Sequence, residues 1–259
     1  MPSVASLAEF RQAVTGFPVT GLPLMIEPAA RAAAQRSLDD SGLLLLGEVH
    51  GVAENPLLIQ ALLAEFGLSG LALEWPAELT PTISTFLAGG PLEDHRLLWL
   101  GDGRITAGHL AVLRDRAAAG PLRLTLFDVI IPADAGWSER DAAMAAQVLA
   151  GTGPGTLVVA GNAHTPVHRT ELGVPMGAYL SERQSGLAEI RIRYACGGYY
   201  NIGPRRFGGH AGPGRTTRLS LREGRLIMDL PSATEALVPQ RPLDIPAAPH
   251  PDTTESDIE

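Results

Sequence analysis

Four short apolar runs in this chain stop abruptly on residues that can move protons. Leu43-Leu44-Leu45-Leu46 runs into Gly47-Glu48-Val49-His50, and Leu71-Ala72-Leu73 ends on Glu74. Leu124-Thr125-Leu126-Phe127 ends on Asp128, and Leu157-Val158-Val159-Ala160 leads to Gly161-Asn162-Ala163-His164. Runs this short, flanked by glycine and separated by helix-period segments, predict buried parallel strands. The stretches 55–66, 79–87, 107–119, 137–150 and 176–183 predict the intervening helices, with a shorter one over 93–100. The fold class is therefore α/β, a mainly parallel central sheet flanked by helices.

The pattern differs at both ends. Residues 1–40 read as a helical lead-in, with an Ala- and Arg-rich helix over 27–38 that stops at Asp39-Asp40-Ser41-Gly42. Beyond Gly186, residues 189–194 alternate with period two, and 217–221 with 225–228 form a hairpin pattern around Glu223-Gly224. These predict a C-terminal antiparallel extension to a single α/β catalytic domain over 41–230. Between them, the Gly-rich stretch 197–214 reads as a flap over a ligand or an ordered connection with Tyr199 and Phe207 packed inside. From 231 to 259, Pro231, Pro239, Pro242, Pro246 and Pro249 stand among acidic residues, which predicts a disordered tail the domain can lose.

Composition narrows the function. An apolar fraction of 45% with 19% charged residues is that of an ordinary globular protein. The formal net charge of −8, with no dense basic cluster, argues against nucleic acid as a partner. The one cysteine, Cys196, excludes an internal disulfide and a cysteine-based zinc site. No run is long enough to span a membrane, and the first residues lack a charged stretch followed by an apolar one. A cytoplasmic enzyme with a small-molecule substrate is the expectation; its oligomeric state is left open.

The candidate chemistry sits at the strand ends, where open α/β sheets bind ligands. Glu48 and His50, two apart, should face the same side, and a carboxylate beside an imidazole can fix its tautomer or share a metal. Glu74 closes an apolar strand before Trp75-Pro76, so burial is expected to raise its pKa and to require a partner. Glu54 at a helix start, Asp128, Arg140 and Asn162 are candidate substrate contacts, and Arg140 could pair with Glu74 or Asp128. Ser138 with Asp141 reads as a capping-box start. His164 stands where a second catalytic histidine would, whereas His95, His109, His210 and His250 read as structural. Arg205 and Arg206, in the Gly-rich stretch, could hold an anionic substrate group.

Taken in order, Gly47-Glu48-Val49-His50-Gly51-Val52-Ala53-Glu54, Ala72-Leu73-Glu74, Phe127-Asp128, Arg140-Asp141-Ala142-Ala143-Met144-Ala145, Gly161-Asn162-Ala163-His164 and Met176-Gly177-Ala178-Tyr179-Leu180 resemble the erythromycin esterases. They are also similar to the ChaN-like haem-binding proteins and Tiki-type metalloproteases of the same superfamily. The resemblance covers residues 43–183. It implies an α/β sheet with His50 activating water and Glu48, Glu74 and His164 completing the pocket. The expected function is hydrolysis of an ester or lactone, or related acid–base chemistry. The alternative is haem or iron binding of the ChaN-like type. No cofactor is fixed: two histidines and two carboxylates suit a divalent metal, and haem is a weaker candidate.

Overall fold

Strand and helix alternate along most of the chain because its apolar positions switch between continuous runs and helical spacing. The structure is a computed structural model that describes residues 3–129, 136–207 and 216–241. In chain order the elements are β1 (Ser3–Val4), α1 (Leu7–Gly16), β2 (Leu24–Ile26), α2 (Pro28–Ser41), β3 (Leu43–Glu48), α3 (Asn55–Glu65), β4 (Gly70–Pro76), α4 (Thr80–Leu87), α5 (Ala107–Ala119) and β5 (Arg123–Asp128). They continue with α6 (Trp137–Gly151), β6 (Thr156–Gly161), α7 (Met176–Ser181), β7 (Glu189–Tyr194), β8 (Gly198–Tyr200), β9 (Pro204–Arg206), β10 (Thr217–Arg222), β11 (Arg225–Leu230) and β12 (Val238–Pro239).

Eight strands form one sheet in the order β2-β10-β11-β7-β3-β6-β4-β5. From β11 to β5 all neighbours are parallel, while β10 turns back antiparallel to β11 and carries β2 alongside. Alternate residues of the buried strands enter two separate cores. Leu44, Leu46, Leu71 and Leu73 pack with residues of α1 to α5 on one face. Leu43, Leu45, Ala72 and Val158 pack with Met144, Val148 and Leu180 of α6 and α7 on the other. The central strands are apolar throughout because both their faces are covered.

The topology reverses at the pair β3 and β6. The chain leaves β3 toward β4 on one side and leaves β6 toward β7 on the other. A crevice opens outside the carboxyl ends of strands at such a reversal. Glu48 and Gly161, the last residues of β3 and β6, stand there side by side.

Four expectations are changed or decided. The lead-in is not purely helical: Leu24-Met25-Ile26 pairs with Thr217-Arg218-Leu219 as an edge strand, too short to show a period in the sequence. The helix expected over 93–100 is one 3-10 turn, Arg96–Trp99, capped by the His95 ring accepting from the Leu97 N–H at 3.2 Å. The Gly-rich stretch contains the small hairpin β8–β9, in which the Phe207 ring lies between Tyr194 at 4.6 Å and Tyr199 at 4.8 Å. That is the ordered connection over 197–207; the rest of the expected flap lies outside the described residues.

The fourth change concerns the tail. Ala233, Ala236 and Val238 are buried, and β12 pairs in parallel with β1. Proline does not prevent this, because a two-residue strand ending on Pro239 needs few ladder bonds. The expected disorder is thus wrong for residues 231–241, and the remainder of the tail lies outside the described residues.

Candidate active site

β4 supplies the hub of the site. Its register against β5 slips between Leu73 and Pro76, so Glu74 and Trp75 together oppose Phe127. Bulges of this kind are over-represented beside active sites, where they re-aim side chains. Glu74 is 4% exposed, and each of its oxygens is committed. Oε2 accepts the Gly161 N–H at 2.7 Å and lies 3.5 Å from His50 Nε2. Oε1 lies 3.1 Å from Arg140 Nη2, 3.6 Å from Arg104 Nη1 and 3.7 Å from His164 Nε2.

On the β3 side, His50 Nδ1 meets Glu48 Oε1 at 3.2 Å, so the ring is held between two buried carboxylates. The turn after His50 requires Gly51. Its φ is +78°, and a β-carbon there would overlap the Tyr200 carbonyl. Gly161 is needed for space instead, since a β-carbon would come within 2.9 Å of His50 Nε2.

On the other side, Asp128 at the end of β5 accepts from Arg140 Nη2 at 2.6 Å and pairs with Arg104, which also bonds Asp102 at 2.7 Å. His164 Nδ1 lies 2.8 Å from Oδ1 of Asp141, which is fully buried and also accepts the Met176 N–H at 2.7 Å. The His164 ring stacks on Trp137 with centroids 5.4 Å apart. Its Nε2 lies 3.3 Å from Arg140 Nη1. A guanidinium only donates, so this contact is a hydrogen bond when Nε2 carries a lone pair and Nδ1–H points at Asp141.

The electrostatics of this cluster reverse one expectation. Burial opposes charging His50, but the hydrogen bonds to Glu48 and Glu74 outweigh it and raise the imidazole to about 10. Burial likewise opposes the Glu74 carboxylate. The hydrogen bond from His50, together with the charges of His50 and Arg104, holds it well below the carboxylate range rather than above it. Burial also opposes the Arg104 and Arg140 charges, but the surrounding carboxylates raise both guanidiniums further.

Of the residues singled out in the sequence, Glu48, His50, Glu74, Asp128, Arg140 and His164 come together. Glu54 does not: its carboxylate takes the Thr234 N–H at 2.9 Å and hydroxyl at 2.8 Å, pinning the 231–241 segment. Asn162 donates its backbone N–H to the Glu48 carbonyl at 2.8 Å, but it lines a separate cavity of about 400 Å³ with Thr170, Glu171, Leu172 and Arg191. Arg205 and Arg206 are exposed on β9, and among the described residues neither is bonded to a member of the cluster.

Three contributors were missed. Arg104 lies in the loop before α5, where no strand end or period marks it. Asp141 was absorbed by the capping reading, yet α6 is capped elsewhere: Glu139 takes the Gly136 N–H at 3.0 Å, and Ser138 accepts from the Val174 N–H. Trp137, just before Ser138, carried no sequence signal of its stacking role. The readings of His210 and His250 lie outside the described residues.

The set does not fit a metal. Among the described residues, no three His, Cys, Asp or Glu side chains are arranged to hold an ion. Both nitrogens of His50 face carboxylates, so that ring offers no free nitrogen to iron.

No family model matches this chain, and no curated protein matches it in sequence. Solved structures do. A Bacillus cereus protein of known crystal structure superposes with a TM-score of 0.58 at 10% identity, covering 91% of this chain and 100% of that one. That likeness is one of fold. Two structures described as bacterial protein toxins align at TM-scores of 0.43 and 0.44 with 18% and 21% identity. They cover 79% and 72% of this chain, which spans only 42% and 39% of theirs.

Proposed function

We propose that this protein hydrolyses an ester or lactone of a small molecule. The observation that carries the reading is the closed Asp141–His164 and Glu48–His50–Glu74 constellation at the carboxyl edge of the sheet. The order of its motifs, which resembles that of the erythromycin esterases, points the same way.

The charge state redistributes the roles. A ring at about 10 is an imidazolium at neutral pH, so His50 is a poor base and a good electrostatic group. His164 is the better base: Asp141 fixes its Nδ1–H and leaves Nε2 with the lone pair. In this mechanism Nε2 takes a proton from water as its oxygen bonds to the ester carbonyl carbon. Here Arg140 gives up its contact with His164 Nε2 and, with the charge of the His50 imidazolium, stabilises the tetrahedral oxyanion. The C–O bond to the alcohol then breaks, the alkoxide recovers the proton from His164, and the acid departs.

The test is a panel of activated esters and lactones assayed with the full chain and with His164→Ala. The reading expects turnover by the native chain and its loss in the variant. Equal rates for the two would overturn it.

A further inference from the structure

His109, at the start of α5, is 3% exposed and takes no part in the mechanism above. Its ring stands edge-on to Trp75 with centroids 5.9 Å apart. Trp75 in turn donates its indole N–H to the Arg104 carbonyl at 2.9 Å. His109 shares a cavity of about 10 Å³ with Glu48, His50, Glu74 and Arg104, walled by Leu73, Trp75 and Val159. One oxygen facing this cluster is unusual. Glu48 is 3% exposed, its Oε1 meets His50, and its Oε2 has no hydrogen-bond partner among the described residues. A buried carboxylate oxygen left without a donor is costly. A polar space of about 10–15 Å³ accommodates a single water that can supply one.

We propose that this cavity binds one water, and that His109 is a positioning residue which aims that water at Glu48 Oε2 and so fixes the Glu48–His50 pair. The hydrogen-bond polarity closes in one direction. Thr106 is 1% exposed and, among the described residues, its hydroxyl meets no acceptor but His109 Nδ1 at 2.9 Å, so the hydroxyl donates there while its oxygen accepts the His109 backbone N–H at 3.2 Å. The ring is then the Nε2–H tautomer and donates to the water oxygen. The water donates to Glu48 Oε2, and Glu48 Oε1 accepts from His50. A neutral ring suits this chain, and burial lowers the His109 pKa, with the charge on His50 adding to the effect and that on Glu48 opposing it. The groups facing the cavity are Glu48 and His50 from the β3 end, Glu74 from β4, and Arg104 and His109 from the loop and helix α5.

The assignment of water and tautomer stands apart from the hydrolase reading, while the effect on rate rests on it. The experiment is nitrogen-15 NMR of the imidazoles in the full chain, with a high-resolution crystal structure of the same protein. The expected result is a neutral His109 with its proton on Nε2 at neutral pH, and one ordered water within hydrogen-bond distance of Glu48 Oε2. A proton on Nδ1, a doubly protonated ring at neutral pH, or a crystal structure with no water against Glu48 Oε2 would overturn the proposal. Where an ester substrate has been found, His109→Phe should lower kcat about tenfold with KM unchanged, and His109→Gln, which keeps a donor, should restore most of it. Equal rates for His109→Phe and the native chain would overturn the positioning role without touching the hydrolase reading.

Discussion

The two histidines of the site stand on adjacent strands and are built in opposite ways. His50 lies between two carboxylates and carries a fixed charge. His164 has Asp141 behind it at 2.8 Å, and its other nitrogen meets Arg140 at 3.3 Å and Glu74 at 3.7 Å. Their supports differ as well. His164 rests on α6 and on the Met176 N–H of α7, both near it in sequence. The loop after His50 rests on distant chain: the Gly51 carbonyl accepts from Tyr200 and Ala236, and the Ala53 N–H donates to Thr234, each at 2.9 Å. The same residue type at the same edge is thus held between two carboxylates in one case and between a carboxylate and a guanidinium in the other, and the proposed base is the second.

The largest effect should come from the His164 side. Asp141→Asn removes the acceptor that fixes the tautomer, and ester hydrolysis should fall by about 10²- to 10⁴-fold with the fold intact. Unchanged turnover would break the assignment of His164 as base. His50→Ala should act mainly on stability, because it leaves two buried carboxylates without their cation. A loss of about 3–5 kcal/mol in urea unfolding is expected. A fully stable but inactive variant would instead point to His50 as the base.

Next in size is the support of the His50 loop. A chain ending at Pro231 loses Ala233, Ala236 and Val238 from the core and should be destabilised by about 2–3 kcal/mol, whereas one ending at Arg241 keeps them. Equal melting temperatures for the two truncations would show that the segment holds nothing.

The pH response sharpens the same contrast. The folded His50 is raised above its ordinary 6.5, so its contribution is full below about pH 6.5 and disappears as pH climbs through about 10. Glu74 has the opposite sign: its contribution is present above its ordinary 4.5 and is lost as pH falls toward the depressed folded value. Urea midpoints should decline on both sides of a plateau between about pH 4.5 and 6.5, and a midpoint still rising near pH 10 would contradict the charged His50. The smallest effect is expected of Arg205→Ala with Arg206→Ala: stability within about 0.5 kcal/mol and no change in KM.

The strand ends were legible because a buried parallel strand announces itself as an apolar run and stops on its first polar residue. Glu48, Glu74 and Asp128 were read in this way, as was the pairing of Arg140 with Glu74 and Asp128. Arg104 was not, since a loop residue that reaches a site through tertiary folding leaves no period. Asp141 was hidden by a local explanation that was sufficient by itself. The sign of the Glu74 shift also failed to show: burial is visible in the sequence, whereas the opposing charges arrive through tertiary folding from the turn after β3 and the Arg104 loop.

The contact between Glu54 and Thr234 spans 180 residues, whereas that between Asp141 and His164 spans 23. Closing the longer loop costs more chain entropy and comes later in folding. During synthesis the His164 corner can assemble while the chain is still growing, but the loop after His50 must wait for the segment around Thr234 to leave the ribosome. The nascent protein can therefore order the corner of the proposed base before the loop that carries His50, which is completed by nearly the last of the described residues to be made.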